Sequence, residues 1–238
     1  MTAQARGTNR VLASIPAKQY KRLQAHLEPI KLNFGQVLYE PGRPILHVYF
    51  PLDCLISLLT AVDRRRTLEV GVVGNEGMAG MPFILGMGVS GVRAIVQGKG
   101  SALRMAAGPF RIEFKRNVPL QEALYRYTYA LMAQISQTAA CNRFHDAGQR
   151  LSRWLLMTRD RVGSDEFLLT QEFLAHMLGL RRVGVTEAAS KLKRRKLINY
   201  TRGKMKILDV KGLEASSCAC YQIVKKVFAR AQELGQQR

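Results

Sequence analysis

The residues best placed to do chemistry lie between Thr170 and Lys204, and the chemistry they suggest is contact with a nucleic acid. The segment 181–206 holds ten basic residues and one acidic residue, Glu187. Guanidinium groups bind guanine edges and phosphates, and lysines bind phosphates. The whole chain has the same bias, because 37 Lys and Arg against 17 Asp and Glu give a net charge of +20. A positive electrostatic potential spread over so much of the chain favours a polyanionic partner over one small acidic ligand.

The spacing of small and apolar residues in this segment is typical of a helix-turn-helix. Thr170 can cap a first helix, and Gly179 permits the left-handed turn that ends it. A second helix would then present Arg182 to a guanine edge and Glu187 to a cytosine amino group. The same spacing occurs in ordinary helical bundles, where the arginines would face solvent. The candidate DNA-binding residues are Thr170, Arg181, Arg182, Val183, Thr186, Glu187, Lys191, Arg202 and Lys204.

A β-hairpin is predicted directly after the second helix. Two short apolar runs between Leu197 and Leu208 flank the turn Arg202-Gly203. Such a hairpin would form a wing, with Arg202 and Lys204 at phosphates beside the recognition helix. A membrane-surface role would need the basic residues along one face of an amphipathic helix. Their place on a helix-turn-helix and a hairpin predicts duplex DNA as the partner and no membrane.

Cysteines and histidines are the other residues that could do chemistry, and their spacing argues against a metal or redox centre. Cys218 and Cys220 could form half of a soft-metal site or a redox pair, but the sequence offers no second pair nearby. His145 and the other three histidines are scattered, so each is interpreted as an isolated residue. Cys54, in an apolar run, is interpreted as a buried small hydrophobe. We therefore expect no metal and no cofactor.

Enzymatic activity is not predicted. The glycine-rich run 86–91 lacks the lysine of a phosphate-binding loop, and no helical pattern opens after it. A metal-dependent enzyme would need clustered histidines and carboxylates, which the sequence does not show. No catalytic residue is assigned.

The elements that would position the DNA-binding residues follow from the apolar periodicity. Asn9 to Leu27 is predicted to be helical, and Lys31 to Met105 contains short apolar or alternating runs separated by Gly and Pro, as in an antiparallel jelly roll. From Pro119 a long helix is predicted, which breaks around Cys141 to Asp146. Another helix follows over Ala147 to Val162. The apolar stripe of the long helix consists of Leu120, Leu124, Tyr127, Leu131, Ile135 and Thr138.

That stripe could pack on its own domain or pair with a copy of itself, and a dimer helix is the prediction. The fold class is α+β, with a sensor β-roll at 1–118, a dimerisation helix at 119–144 and a winged helix-turn-helix at 145–238. A polar N-terminus without a signal-peptide core, and no apolar run of membrane-spanning length, predict a cytoplasmic protein.

This order of parts resembles the Crp/Fnr family of bacterial transcription regulators. The resemblance is most specific in Gln171-Glu172, Gly179, Arg182, Val185 and the basic run before Leu197-Ile198. It implies that Arg182 reads a base. Two positions differ from the family, with Arg181 in place of a capping Ser or Thr and Val183 in place of Glu. The operator sequence therefore does not carry over from other members.

The resemblance also implies a cyclic-nucleotide-binding-like domain with a degenerate cassette. Its candidate effector residues are Glu76, Arg93 and Ala94, but Asn75 replaces the turn glycine and Ala94 offers no hydroxyl to a phosphate. We expect cyclic AMP and cyclic GMP not to bind appreciably, which leaves an unknown small-molecule effector open. The implied partners are a palindromic operator, a second copy of the chain and, as a further candidate, RNA polymerase. The alternative function is an architectural DNA-binding protein without an effector.

Overall fold

An antiparallel β-roll forms the N-terminal part of the protein, in a computed structural model that describes residues 8–61, 63, 66–201 and 203–236. Two short helices, α1 (Arg10–Ala13) and α2 (Ala17–Gln24), precede the roll, where one helical segment had been predicted. Pro16 separates them, because it disfavours a helical conformation of the residue before it. The strands are β1 (Glu28–Leu32), β2 (Val37–Tyr39), β3 (His47–Pro51), β4 (Leu55–Ala61), β5 (Thr67–Val73), β6 (Arg93–Gly98) and β7 (Gly100–Ala106).

The strands form two antiparallel sheets, in the orders β1-β7-β3 and β2-β6-β4-β5. This confirms the predicted antiparallel roll. Alternate side chains of each sheet enter a shared core that includes Val48, Phe50, Ile56 and Val96, each at most 1% exposed. The connection between β5 and β6 contains a single 3-10 turn, Met81–Phe83.

A helical pair closes the roll and leads to the C-terminal region. Helix α3 (Ala107–Arg116) is followed by α4 (Val118–Phe144), where the Asn117 side chain accepts a 3.1 Å hydrogen bond from the Leu120 N–H. Five of the six residues of the predicted apolar stripe of α4 are buried within the chain and Ile135 is partly buried, since the roll and α9 both pack on this helix. The helix continues through Cys141, so the break predicted from Cys141 onward is wrong: it begins only after Phe144.

The C-terminal region is a second unit with its own core. It contains α5 (Ala147–Val162), β8 (Glu166–Leu168), α6 (Gln171–Leu178), α7 (Arg182–Arg194), β9 (Ile198–Thr201), β10 (Lys204–Ile207), α8 (Val210–Ser216) and α9 (Cys220–Gln236). The three strands form a small antiparallel sheet in the order β8-β10-β9. Asp146 and Gln149 form a capping box at the start of α5, which fixes where that helix begins.

Helix α9 runs back from this unit and packs along α4. The rings of Tyr127 on α4 and Phe228 on α9 have centroids 6.4 Å apart. Consequently the last helix in the sequence contacts the helix that links the two units. Within the described residues, no helix has the length and apolarity needed to cross a bilayer.

Candidate DNA-binding site

Helices α6 and α7 form a helix-turn-helix, and local chemistry fixes the turn. The Thr170 hydroxyl oxygen accepts a 3.1 Å hydrogen bond from the Phe173 N–H and caps α6. Gly179 ends α6 in the left-handed region, at φ 58°. A side chain there would also collide with Leu68 of β5, since a Cβ would lie 2.6 Å from its Cδ1. Glycine at 179 therefore serves both the turn and the approach of α6 to the roll.

The outer face of α7 is open to solvent along the positions predicted to read DNA. Arg181 and Arg182 are exposed at its start, and Glu187 and Lys191 are exposed further along. Val183 is 67% exposed, which is unusual for a β-branched apolar side chain. Apart from Arg202, which lies outside the described residues, all the predicted DNA-binding residues have a described position.

Thr186 differs from its neighbours on α7. It is only partly exposed, and its Oγ1 lies 2.9 Å from both Gln171 Oε1 and the Arg182 carbonyl oxygen. Its hydroxyl proton can thus be donated to α6 or to the preceding turn of α7. This position links the two helices, so we assign it a positioning role.

The wing is held against the helix-turn-helix by hydrogen bonds from side chains to main-chain carbonyl oxygens. The Tyr200 hydroxyl donates to the Leu169 carbonyl oxygen at 3.0 Å, and Lys193 Nζ donates to the Tyr200 carbonyl oxygen at 3.2 Å. Lys204, at the start of β10, is exposed. Lys206 pairs with Glu166 at 2.7 Å, so part of its charge is already balanced.

Three arginines on α5 are buried, which the sequence pattern did not indicate. Arg161 pairs with Glu76 at 2.7 Å, and Arg161 also donates to Gln134 on α4 at 2.6 Å. This network ties α5 to both the roll and the long helix. Arg150 donates to the Leu178 carbonyl at the end of α6, and Arg153 to the Thr138 hydroxyl on α4.

A second polar contact between the roll and α5 involves Glu69 of β5. It accepts hydrogen bonds from Trp154 Nε1 at 2.8 Å and from Ser57 Oγ at 2.7 Å. Burial raises the pKa of Glu69 to about 7, and the two hydrogen bonds act in the opposite direction. The carboxyl group therefore titrates near neutral pH at the contact between the units.

The predicted effector residues have separate partners within the protein. Glu76 is buried against Arg161, whereas Arg93 pairs at the surface with Glu40 at 2.8 Å. Ala94 is fully buried. The effector cassette of the family has a turn glycine followed by a carboxylate. The connection between β5 and β6 does contain a left-handed glycine, Gly80 at φ 118°, but Met81 follows it in place of the carboxylate. The weak binding of cyclic nucleotides stays a prediction.

A cavity of about 390 Å³ lies between α1, α4 and α9. Glu76, Tyr127, Arg126 and Phe228 are among its lining residues. The Oε2 atom of Glu76 and the hydroxyl of Tyr127 are buried without a hydrogen-bond partner in the described residues. The cavity is in the size range of small-molecule sites.

The structure changes which face of α4 can pair with a second copy of the chain. Leu131 is fully buried in its own chain, so this stripe is not the surface that pairs with another copy. Between the exposed Val118 and Phe144 at its two ends, α4 instead exposes Tyr125, Tyr129 and Met132, at intervals of four and three residues, and each is more than half exposed.

The expectation that Cys218 and Cys220 have no further ligands nearby is also wrong. Cys141 and His145, at the end of α4, meet them, and the four ligand atoms all lie within 4.8 Å of one another. Because α4 continues through Cys141 to Phe144, its last turn carries Cys141, and the following residue His145, to the start of α9. His145 is therefore not an isolated residue.

Comparison with known proteins identifies the family of the C-terminal region. Residues 149–216 match the model of the Crp-like helix-turn-helix domain. The chain carries a Crp-like helix-turn-helix domain. This agrees with the positions of α6, α7 and the wing. No curated protein sequence matches the chain significantly.

Solved structures show that about four fifths of the chain has the fold of Crp/Fnr regulators. FixK2 from Bradyrhizobium japonicum superposes with a TM-score of 0.69 at 13% identity, covering 81% of this chain and 98% of FixK2. A CRP-family transcriptional regulator from Thermus thermophilus gives 0.66 at 16% identity, covering 79% and 96%. The c-di-GMP responsive regulator CLP from Xanthomonas campestris gives 0.61 at 16% identity, covering 81% and 99%. The predicted resemblance is confirmed for the fold and for the helix-turn-helix domain.

Proposed function

We propose that this protein is a homodimeric, sequence-specific DNA-binding transcription regulator of the cytoplasm, with the β-roll as its sensor domain. The observation that carries the proposal is the exposed outer face of α7 within a Crp-like helix-turn-helix domain. Such helices enter the major groove with their N-terminal residues at the base edges. Arg181, Arg182 and Val183 occupy those positions.

Each exposed side chain of α7 suits a different feature of the major groove. Arg182 can donate two hydrogen bonds to the O6 and N7 atoms of guanine, and Glu187 can accept one from the cytosine amino group. Val183 can pack against a thymine methyl group, and this contact would bury its exposed apolar surface in the complex. Lys191, and Lys204 on the wing, would bind phosphates, together with Arg202. Thr170 would donate to a phosphate at the start of α6.

The exposed stripe of α4 is the surface proposed to pair with a second copy. Tyr125, Tyr129 and Met132 repeat at the spacing of a coiled-coil seam, and Ser136 and Ala139 extend it with small, exposed side chains. Two-fold pairing would place two copies of α7 at half-sites about 34–36 Å apart, in a palindromic operator. The expected domain division at 118 and 144 would then separate sensor, dimer helix and DNA-binding domain.

A signal in the roll would reach the DNA-binding domain through the contacts already described. The Glu76–Arg161 pair and the Glu69–Trp154 hydrogen bond join the two units directly. A small molecule in the cavity between α1, α4 and α9 would touch Glu76 and the long helix at the same time. We expect such a ligand to alter the position of α5, and with it α6.

The test compares two kinds of substitution on an operator selected from a random duplex library. Arg182→Ala should weaken operator binding by about 1–3 kcal/mol, roughly 5- to 150-fold, and random-duplex binding much less. Lys204→Ala should weaken both similarly and lower the salt slope by about one. Lys115→Ala, on the exposed face of α3, is the charge-matched control and should change neither.

Fluorescence anisotropy across a salt series measures all three variants. An Arg182→Ala variant with an unchanged ratio of operator to random-duplex affinity would show that α7 is not the recognition helix. If Lys115→Ala and Lys204→Ala lost equal DNA affinity, the wing lysine would contribute only through the net charge of the protein and not through a phosphate contact of its own.

A further inference from the structure

Three cysteines and one histidine meet where the long helix ends and the last helix begins. Cys141 and His145 are one helical turn apart at the end of α4, and Cys218 and Cys220 lie at the junction of α8 and α9. Cys141 Sγ is 3.5 Å from Cys218 Sγ, and Cys220 Sγ is 3.6 Å from His145 Nδ1. These pairs are 77 and 75 positions apart in the sequence, so the fold alone brings them together.

The distances match the edges of a tetrahedron around a single metal ion. A Zn–S bond of about 2.3 Å implies a separation of about 3.8 Å between two thiolates, and slightly less between a thiolate and an imidazole nitrogen. All six separations here are within 4.8 Å. A disulfide would need its sulfur atoms about 2.0 Å apart. Thiolates on different atoms of an iron–sulfur cluster would stand further apart, because the cluster itself lies between them.

The surroundings are built for negatively charged sulfur. Gln137, one turn before Cys141, donates from Nε2 to Cys220 Sγ at 3.1 Å, as outer hydrogen bonds do around metal thiolates. Arg150 and Arg153 are 7% and 4% exposed. Neither forms an ion pair with a carboxylate of the described residues, and the Nε atom of each has no hydrogen-bond partner there.

These buried cations lack a directly paired carboxylate, and the thiols of the cluster interact electrostatically with both of them. Burial lowers the pKa of Arg150, and the thiols of Cys141 and Cys218 act in the opposite direction. Three thiolates and a divalent ion would carry a net charge of −1 beside the two guanidinium groups. An uncompensated buried charge costs several kcal/mol, so an anionic centre here relieves that cost.

We propose that Cys141, His145, Cys218 and Cys220 bind one Zn²⁺ ion in a closed, tetrahedral Cys3His site. The three thiols release their protons to solvent as three Zn–S bonds form, and neutral His145 supplies the fourth ligand through Nδ1. The three cysteines are almost completely buried, which is the pattern of a structural rather than a catalytic zinc site. The softness of three thiolates selects against Mg²⁺ and Ca²⁺.

The site would fix the DNA-binding unit to the long helix. Cys141 lies in the last turn of α4 and His145 directly follows that helix, whereas Cys218 and Cys220 follow α8, which packs on α5 within the C-terminal unit. Bound zinc would therefore hold the start of α9 at one place on α4. This assignment stands on the geometry of the four ligands and does not depend on DNA binding.

Cobalt substitution tests the proposal on the wild-type chain. The full-length protein is stripped of metal with a chelator under anaerobic, reducing conditions and titrated with Co²⁺. We expect one Co²⁺ per chain, with the visible absorption of tetrahedral cobalt and a thiolate charge-transfer band, both removed by one equivalent of Zn²⁺. Elemental analysis of untreated protein from zinc-supplemented cultures should give one zinc per chain.

Three variants assign the ligands. Cys218→Ser should lose the tetrahedral spectrum and bind zinc at least 100-fold more weakly. His145→Cys should keep one tetrahedral ion with a stronger thiolate band, which a purely structural defect would not produce. Cys54→Ser is the matched control, because Cys54 is buried in the roll away from the cluster, and its spectrum should equal that of the wild type.

Several results would overturn the assignment. One is a folded wild type that gives no tetrahedral cobalt spectrum. Another is a Cys141–Cys218 disulfide, found by mass spectrometry in protein purified anaerobically without added reductant. Loss of the spectrum in Cys54→Ser equal to that in Cys218→Ser would also contradict it. Circular dichroism of each variant establishes that it is folded before its metal binding is compared.

Discussion

The buried pair between Glu76 and Arg161 should be among the most sensitive contacts in the protein. Arg161 Nε lies 2.7 Å from Glu76 Oε1, and the two side chains are 8% and 6% exposed. Arg161 also donates to Gln134 and to the Met157 carbonyl oxygen. Glu76→Gln keeps the size of the side chain but leaves the guanidinium group buried without its counter-charge.

The expected cost follows from the geometry. At 2.7 Å and an effective dielectric constant of about 20, two unit charges attract each other by about 6 kcal/mol. The amide of Gln can retain one hydrogen bond, and some of the attraction is offset by the burial of both charges. Breaking a buried pair by removing one partner costs about 3–5 kcal/mol. For a chain of this length, the Tm should fall by roughly 10 °C.

Urea denaturation followed by circular dichroism measures the effect. Glu40→Gln is the matched control, because it breaks the Glu40–Arg93 pair of similar length, 2.8 Å, whose side chains are 40% and 43% exposed. Exposed pairs contribute less than about 1 kcal/mol, so this variant should unfold nearly as the wild type does. The double variant Glu76→Gln with Arg161→Met should regain much of the lost stability. Equal, small losses in Glu76→Gln and Glu40→Gln would refute the reasoning.

Two further predictions concern the contact between the units and the dimer. Because burial raises the pKa of Glu69 to about 7 from 4.5, its folded form binds the proton more tightly, so its contribution to stability is full below about pH 4.5 and declines as the pH rises through 7. From pH 4.5 to 7 the free energy of unfolding should therefore fall by roughly 3 kcal/mol more in the wild type than in Glu69→Gln, and parallel pH profiles would contradict this. Tyr129→Glu should convert a dimer to a monomer in light scattering, while Ile112→Glu, at an exposed position on α3, should not; a dimer that persists in Tyr129→Glu would remove α4 as the interface.

The helix-turn-helix could be predicted because its determinants are local. Gly179, the capping Thr170 and the apolar residues of α6 and α7 lie within 25 positions of one another, and each has a defined geometric role. The short apolar runs and turn residues that indicate the roll strands are local as well, although β4 is buried on both faces. The bounds of α5 follow from its capping residues.

The rest depended on contacts between distant parts of the chain. The period of the α4 stripe was correct, but periodicity does not tell which surface covers it, and the roll and α9 cover it here. The burial of Arg161 depends on Glu76, which lies 85 positions away. Likewise, Cys141 and His145 reach Cys218 only because α9 returns along α4. The four-residue spacing of Cys141 and His145 at the end of the predicted long helix was the signal that could have indicated a ligand pair.

Footprinting of the wild-type protein on long duplex DNA most directly tests whether it is a sequence-specific regulator. Fragments that carry the selected operator should show one discrete protected region, with two symmetric halves about one helical turn apart, at protein concentrations that leave flanking DNA unprotected. Broad protection that spreads along the duplex at a single threshold, with no preference for the selected site, would contradict sequence-specific regulation and indicate an architectural DNA-binding protein instead.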